Sequence, residues 1–148
     1  MTKTLAWKGE IPLKHLYTAG LAGNDFLKTL KEKGEITGTF CEHCERVYVP
    51  ARYFCEKCFA QIGGNIRTLP PEGKLVSWTL CHLDLKGKRL KKPVLAGAVR
   101  LDGASTVLIH FLKADPSQLE VGQRFKAVQK PAGERTGSIL DILHFVPA

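Results

Sequence analysis

The sequence predicts a mainly β protein, and three observations support that prediction. Only residues 18–33 carry apolar side chains at the spacing that is typical of an α-helix. Two Cys-x-x-Cys pairs follow, separated by ten residues, and such pairs are a common metal-binding pattern. Residues 71–148 then contain five strand-like segments divided by Gly, Pro and Asp. We therefore predict an N-terminal helical segment, a four-cysteine zinc ribbon and a five-stranded OB-fold barrel.

The helical segment follows an extension of about 16 residues that shows no periodic pattern. Gly20 and Gly23 predict that the helix forms in two pieces, with Asn24 as the N-cap of the second piece. Gly34 is predicted to end it. Such a helix either packs on its own domain or docks onto a partner enzyme, and the sequence supports both alternatives equally.

The two cysteine pairs form the first candidate site. Cys41, Cys44, Cys55 and Cys58 can place four thiolates around one ion in the tetrahedral geometry of structural zinc. The alternatives are disulfide pairing or free thiols. Four sulfur ligands leave no position open for water, so we predict a structural and not a catalytic zinc. His43 lies within the first pair and could compete as a ligand, but we predict a solvent-facing turn residue.

Strands are predicted around the cysteines and throughout the C-terminal half. Residues 36–40 and 47–49 flank the first cysteine pair, and Pro50 ends the second of these strands. The predicted barrel strands are residues 75–83, 94–101, 106–112, 124–128 and 139–145, with a hairpin turn at Asp102-Gly103 and a short helical turn at residues 115–117. The predicted domains are 1–34 (N-terminal extension and helices), 35–70 (zinc ribbon) and 71–148 (OB-fold domain).

Composition and charge restrict the function only broadly. The chain has 148 residues, is 44% hydrophobic and 24% charged, and carries a formal net charge of +8. This charge favours an anionic partner such as nucleic acid, a phosphorylated small molecule or an acidic protein, although it can also serve solubility alone. No apolar run reaches the roughly 18 residues of a membrane span, and the first residues do not resemble a signal peptide. We expect a cytoplasmic protein.

An enzymatic function needs a nucleophile or an acid–base pair. Cys81 and His82 are adjacent, but neighbouring residues of a strand point to opposite faces and cannot form a dyad directly. The other titratable candidates are predicted to be structural: His110 and His144 in apolar strands, and Asp102 and Asp141 at a turn and a strand edge. We therefore predict that the chain is not an enzyme by itself.

Several motifs resemble the acyl-CoA-associated DUF35-type family. They are Tyr17-Thr18-Ala19-Gly20, the cysteine pairs with Pro50-Ala51-Arg52 between them, the Gly73 segment that opens the barrel, Val121-Gly122, and Gly137 to Asp141. Glu45 departs from the pattern, since the family often has Gly after the second cysteine. The resemblance implies a rubredoxin-like zinc ribbon and a non-catalytic accessory protein that binds CoA or acyl-CoA. It also implies a partner among thiolase-like enzymes, as in the pairing of acetoacetyl-CoA thiolase with hydroxymethylglutaryl-CoA synthase, or among steroid-side-chain aldolases or hydratases.

The CoA phosphates would need cations, and two basic loops offer them: residues 85–92 between the first two barrel strands, and the loop between the last two strands, which carries Lys130 and Arg135. The segment of residues 85–92 holds five cations and no acid, and OB folds often bind ligands at the loop between their first two strands. We predict that seven cations face the CoA phosphates: Lys86, Lys88, Arg89, Lys91, Lys92, Lys130 and Arg135. The alternative is a solvated charge run at a hairpin tip.

Nucleic acid is the rival ligand, because zinc ribbons and OB barrels both occur in nucleic-acid-binding proteins. Single-strand binding by an OB fold needs aromatic side chains on the barrel surface. The barrel half offers Trp78, Phe111, Phe125 and Phe145, and we predict that all four belong to the core.

Overall fold

The computed structural model describes residue 9 and residues 12–148. Within this part the chain forms one α-helix, α1, and two antiparallel β-sheets, of three and five strands. The mainly β fold with one N-terminal helix is therefore confirmed. Most of the N-terminal extension, residues 1–8 with residues 10 and 11, lies outside the described residues.

The helix α1 extends without interruption from Gly20 to Lys33, so the prediction of two pieces is wrong. A buried stripe of Ala22, Phe26 and Leu30 explains the difference, because packing along one face holds the helix together across Gly23. Asn24 lies inside the helix and is not its N-cap. Gly34 ends α1 as predicted, in the left-handed conformation with a φ of 73°. No helix in the described ranges is long and apolar enough to cross a membrane.

The smaller sheet holds the cysteine region. It contains β1 (Ile36–Cys41), β2 (Arg46–Tyr48) and β3 (Ile66–Leu69), in the order β2-β1-β3 with both pairs antiparallel. The first two strands agree with the prediction to within a residue or two. β3 was not predicted, because four residues after two glycines carry too weak a pattern on their own.

The larger sheet forms the barrel. It contains β4 (Glu72–Leu83), β5 (Arg89–Leu101), β6 (Leu108–Phe111), β7 (Arg124–Gln129) and β8 (Ile142–Pro147). Their order is β6-β5-β4-β7-β8, and all neighbours are antiparallel. The two edges meet where Leu112 and Phe145 form a parallel bridge, supported by the Lys113 N–H donating to the Phe145 carbonyl at 2.8 Å. This arrangement agrees with the predicted five-stranded OB fold.

Three predicted strand starts in the barrel are wrong by three residues or more. β4 begins at Glu72 and not at residue 75. β5 begins at Arg89 and not at residue 94, since the chain turns within residues 84–88 and pairs again at once with β4. The Asp84 side chain fixes this turn by accepting the N–H groups of Lys86 and Lys88, each at 2.9 Å. β8 begins at Ile142, because residues 139–141 form a short 3-10 helix that Ser138 caps.

One hydrophobic core connects all three parts of the chain. It includes Phe26 of α1, Ile36 and Val49 of the cysteine region, and Phe125 and Phe145 of the barrel, all of them almost fully buried. The cysteine region has only a small further cluster of Cys41, Tyr48, Cys55 and Ile62. The division into domains at residues 34 and 70 stays a prediction, and the parts share one core.

Candidate metal centre and binding surfaces

The four predicted ligand cysteines converge on one point. The sulfur atoms of Cys41, Cys44, Cys55 and Cys58 all lie within 4.8 Å of one another, and the Sγ atoms of Cys41 and Cys58 are 3.5 Å apart. None of them forms a disulfide. A tetrahedral zinc with Zn–S bonds of about 2.3 Å needs sulfur atoms roughly 3.8 Å apart. The cluster therefore fits a four-thiolate zinc site.

The sheet positions these sulfur atoms through two tight turns. Cys41 ends β1, and Cys55 follows the loop after β2; both are buried, whereas Cys44 and Cys58 are half-buried. The residue after each pair, Glu45 or Phe59, has a positive φ of 51° or 59°. Side chains other than glycine adopt this conformation at a cost. The geometry thus explains why glycine is favoured at the position of Glu45, the departure noted in the sequence.

The thiols differ strongly in acidity when no metal is bound. Burial, followed by the neighbouring thiols of Cys58 and Cys55, raises the pKa of Cys44 to about 12. Burial also opposes ionisation of Cys55, but the Tyr48 hydroxyl and nearby N–H groups, among them that of Lys57, lower its pKa to about 6. Because zinc binds thiolates, metal binding must release protons, among them those of Cys44 and Cys41.

Tyr48 supports the cluster from behind. Its ring is fully buried, and its hydroxyl lies 3.1 Å from the Cys55 sulfur atom. The hydrogen bond with Cys55, followed by burial, raises the pKa of Tyr48 to about 12, so the hydroxyl stays protonated and donates to the thiolate. The guanidinium groups of Arg46 and Arg52 lie 6.0 and 5.3 Å from the ring centroid. Such groups behind a metal ligand tune its affinity for the metal.

Replacement of Tyr48 by Phe is expected to weaken zinc binding by about tenfold, because it removes a hydrogen bond to a ligand sulfur and little volume. Competition with a chromophoric chelator measures the affinity. Tyr53→Phe is the matched control, since the Tyr53 hydroxyl accepts a hydrogen bond from Gln61 and not from a cysteine. Equal affinities for the Tyr48 variant and the unmodified chain would contradict this role.

Five of the predicted ligand-binding cations lie on the hairpin that joins β4 to β5. We call them the basic hairpin: Lys86, Lys88, Arg89, Lys91 and Lys92, all exposed. The predicted loop is wrong for three of them, because Arg89, Lys91 and Lys92 belong to β5. Their role in ligand binding stays a prediction.

The other two predicted cations make internal contacts. The Lys130 Nζ atom lies 3.4 Å from the Asp141 carboxylate, and the Arg135 Nε–H donates to the Lys130 carbonyl at 2.9 Å. The Arg135 guanidinium also lies against Gly34, where an added Cβ atom would approach it to 2.7 Å. Asp141 is fully buried, not the strand-edge residue that was predicted. These contacts join the C-terminal end of α1 to the barrel.

The barrel surface corrects the prediction for two aromatic residues. Phe125 and Phe145 are buried, but Trp78 and Phe111 have exposed fractions of 38% and 43%. On the side of β5 and β6 away from the core, Ala96, Ile109 and Phe111 lie close to Leu140, and together they line a groove of about 230 Å³. We call these four residues the outer apolar face. Along Leu108 to Phe111, the two residues that face away from the core, Ile109 and Phe111, are both apolar. This apolar outer side of the strand is the sequence signal for the outer apolar face.

His110 has the contacts of a structural histidine. The Nε2–H of His110 donates to the Ile139 carbonyl at 3.1 Å, while its Nδ1 accepts the Phe111 N–H at 2.7 Å. Both ring nitrogens are therefore engaged. Burial, together with the charges of Lys113 and His110, lowers the pKa of His144. Cys81 is half-buried in β4 and His82 is exposed.

Two family models match this chain. The model described as the ChsH2 rubredoxin-like zinc ribbon domain matches residues 30–62, and the model described as the ChsH2 C-terminal OB-fold domain matches residues 67–130. Two curated relatives are each named a DUF35 domain-containing scaffold protein. The protein of Methanocaldococcus jannaschii is 23% identical over 67% of this chain and 70% of its own length. That of Methanothermobacter thermautotrophicus is 22% identical over 71% and 79%.

Solved structures show the same similarity. A DUF35 protein of unknown function from Sulfolobus solfataricus is 30% identical, with a TM-score of 0.59 over 74% of this chain and 78% of that one. A structure described as the Ltp2-ChsH2(DUF35) aldolase has 18% identity and a TM-score of 0.59 over 84% of this chain and 93% of that one. At that identity the second match shows the fold alone. These matches agree with the zinc ribbon and OB fold predicted from the sequence.

Proposed function

Because this chain belongs to the DUF35 family, we propose that it is a non-catalytic scaffold subunit that binds a thiolase-type enzyme and a CoA thioester. Two relatives bear the name of scaffold proteins, and one structural neighbour is described together with an aldolase. In this proposal zinc is structural. Cys41, Cys44, Cys55 and Cys58 hold it, and it keeps the ribbon in shape beside the barrel.

The outer apolar face is the observation that supports the scaffold function most directly. Ile109, Phe111 and Leu140 have exposed fractions of 71%, 43% and 51%, and they are adjacent around one groove. Exposed apolar groups at one place on a chain of this size are typical of an interaction surface. A non-polar patch on a chain with a net charge of +8 suits an enzyme surface that is apolar at its centre and acidic at its rim.

We expect Ile109→Glu to reduce the amount of captured enzyme at least tenfold, since it places a charge at the centre of the apolar contact. The tagged full chain is used to capture proteins from its native host, and mass spectrometry identifies them. Ile66→Glu is the matched control: it makes the same substitution at an exposed strand position of the ribbon sheet. The proposal fails if no thiolase-type or hydroxymethylglutaryl-CoA synthase-like enzyme is captured, or if the Ile109 variant captures as much as the control.

Binding of single-stranded nucleic acid is the second candidate function, and one observation favours it. Trp78 and Phe111 are exposed on the barrel, contrary to the sequence prediction, so aromatic side chains for base stacking are present. The basic hairpin could contact phosphates. A fluorescent oligonucleotide whose binding is strongly salt-dependent and is competed poorly by CoA would favour this function over CoA binding.

A further inference from the structure

A second group of cations crosses the barrel at the other end of β4 from the basic hairpin. Lys74 lies directly opposite Arg100 of β5 and directly opposite Arg124 of β7. Their neighbours Gly73 and Leu101 are buried, so Lys74 and Arg100 point outward. Lys74 lies roughly 30 Å along β4 from its hairpin end, at ~3.3 Å per residue. Like charges in directly opposite positions destabilise a sheet unless something compensates them.

Among the described residues, the acids near this group of cations form ion pairs with Arg124 and Lys126 of β7 and not with Lys74 or Arg100. Arg124 binds the Asp102 carboxylate with two hydrogen bonds of 2.8 and 2.7 Å, and it lies 3.5 Å from Glu72. Lys126 takes the other Glu72 oxygen atom at 3.4 Å. Within residues 12–148, Lys74 and Arg100 form no ion pair. The charge of Lys74 contributes to the lowered pKa of Asp102, so this carboxylate lies near Lys74 as well as Arg124. The four cations and two acids named here still leave a net charge of +2.

A cavity opens beside these two charges. It has a volume of about 480 Å³ and lies between the β4–β5 ladder, the turn at residues 102–104 and the turn at residues 121–122. Lys74 and Arg100 supply its cationic wall, Asp102 adds a carboxylate that is already paired with Arg124, and Val76 and Ala104 are among its apolar lining. Hydrogen bonds of Leu75 with Gly122 and Gln123, at 2.8 and 2.9 Å, hold the second turn in place. Pockets of this size and mixed lining suit a small organic ligand.

We propose that this cavity binds the phosphorylated nucleoside end of the CoA thioester. The inference rests on the proposed function and deepens it, since it places the ligand away from the basic hairpin. A terminal phosphate monoester carries close to two negative charges at neutral pH, which matches the net charge of +2 on this group of residues. Arg100 can grip two phosphate oxygens through its planar guanidinium, and Lys74 adds a point charge. The apolar lining contacts the nucleoside.

The test compares two double variants of the full chain, Lys74→Ala/Arg100→Ala and Lys88→Ala/Arg89→Ala. Each removes one lysine and one arginine, so both lower the net charge by the same amount. Titration calorimetry with CoA and with 3′-dephospho-CoA measures the affinities. We expect the first variant to bind CoA at least tenfold more weakly than the unmodified chain and to lose the preference for CoA over 3′-dephospho-CoA. The hairpin variant should change affinity less than threefold.

The inference is overturned if the hairpin variant loses affinity and the cavity variant does not, or if both lose it equally through general electrostatics. Absence of CoA binding by the unmodified chain overturns it as well. Enzyme capture by the Lys74→Ala/Arg100→Ala variant separates this outcome from failure of the scaffold function. If that variant still captures the enzyme that the unmodified chain captures, the enzyme-binding part of the proposed function stands whatever the titration shows.

Discussion

Removal of zinc is expected to unfold the sheet of residues 36–69 and to lower the stability of the barrel with it. The ribbon's own hydrophobic cluster consists of Cys41, Tyr48, Cys55 and Ile62, of which two are cysteines of the sulfur cluster. Metal binding contributes about 10–16 kcal/mol of apparent free energy in zinc-finger peptides, far more than so small a cluster can supply. Without zinc, no covalent or coordination bond holds the four sulfur atoms together.

The barrel is affected because the ribbon contributes to the shared core. Ile36, Val49 and Leu69 pack in the same cluster as Leu101 and Phe125. Unfolding of the ribbon exposes these apolar surfaces, and each buried side chain of this size contributes about 1.5–3 kcal/mol. We therefore expect chelation to lower the melting temperature of the whole chain.

Elemental analysis and hydrogen exchange with and without a chelator check this prediction. We expect one zinc per chain, and fast exchange of residues 36–69 once the metal is removed. Cys55→Ser should behave as the chelated chain does. Cys81→Ser is the matched control, since Cys81 lies in β4 outside the sulfur cluster. If the chain contains no stoichiometric metal, or if the chelator does not change the hydrogen-exchange rates of residues 36–69, then zinc does not stabilise the ribbon.

Asp141→Asn is expected to destabilise the chain by about 3 kcal/mol, the usual cost of breaking a buried and hydrogen-bonded charge. The carboxylate accepts the N–H groups of Thr136, Gly137 and Ser138 at 3.0, 2.7 and 3.2 Å, and Lys130 lies at 3.4 Å. An amide replaces one acceptor oxygen with a donor, so donors would face each other. For a chain of this length we expect a fall in melting temperature of roughly 10 °C.

The stabilisation by Asp141 should also depend on pH in a defined direction. Burial opposes ionisation of this carboxyl group, but the surrounding N–H groups and Lys130 outweigh burial and lower its pKa from 3.8 to about 2. A carboxyl group with a lowered pKa stabilises the fold fully above its unfolded pKa and loses that contribution as the pH falls towards 2. The stability difference between the unmodified chain and Asp141→Asn should therefore be largest at neutral pH and shrink below pH ~4.

Urea unfolding of both chains at pH 7 and at about pH 3 measures this difference, and loss of zinc in acid affects both chains alike. Asp115→Asn is the matched control. Asp115 is exposed and caps a short 3-10 helix by accepting the Ser117 N–H at 3.0 Å, so its replacement should cost about 1 kcal/mol or less. A constant difference across this pH range would contradict the role of the Asp141 charge.

The elements missed or misplaced by sequence reasoning share one cause. β3 is four residues long and is held by its pairing with β1, which its own pattern does not reveal. The N-terminal part of β5 contains Arg89, Lys91 and Lys92. Charged residues of this kind predict a loop, and only the pairing with β4 shows that they belong to a strand. The two-piece helix failed because burial of Phe26 and Leu30 overrides a weak local propensity.

The sequence by itself determined which four cysteines converge, the order of helix, ribbon and barrel, and the family, because these depend on the spacing of residues along the chain. Only the tertiary structure decided that Phe111 is exposed, that Asp141 is buried, and that Lys74 lies between Arg100 and Arg124. Strand register and the contact between distant segments set those positions. Such long-range pairing depends on the whole fold at once, so no local pattern in the sequence records it.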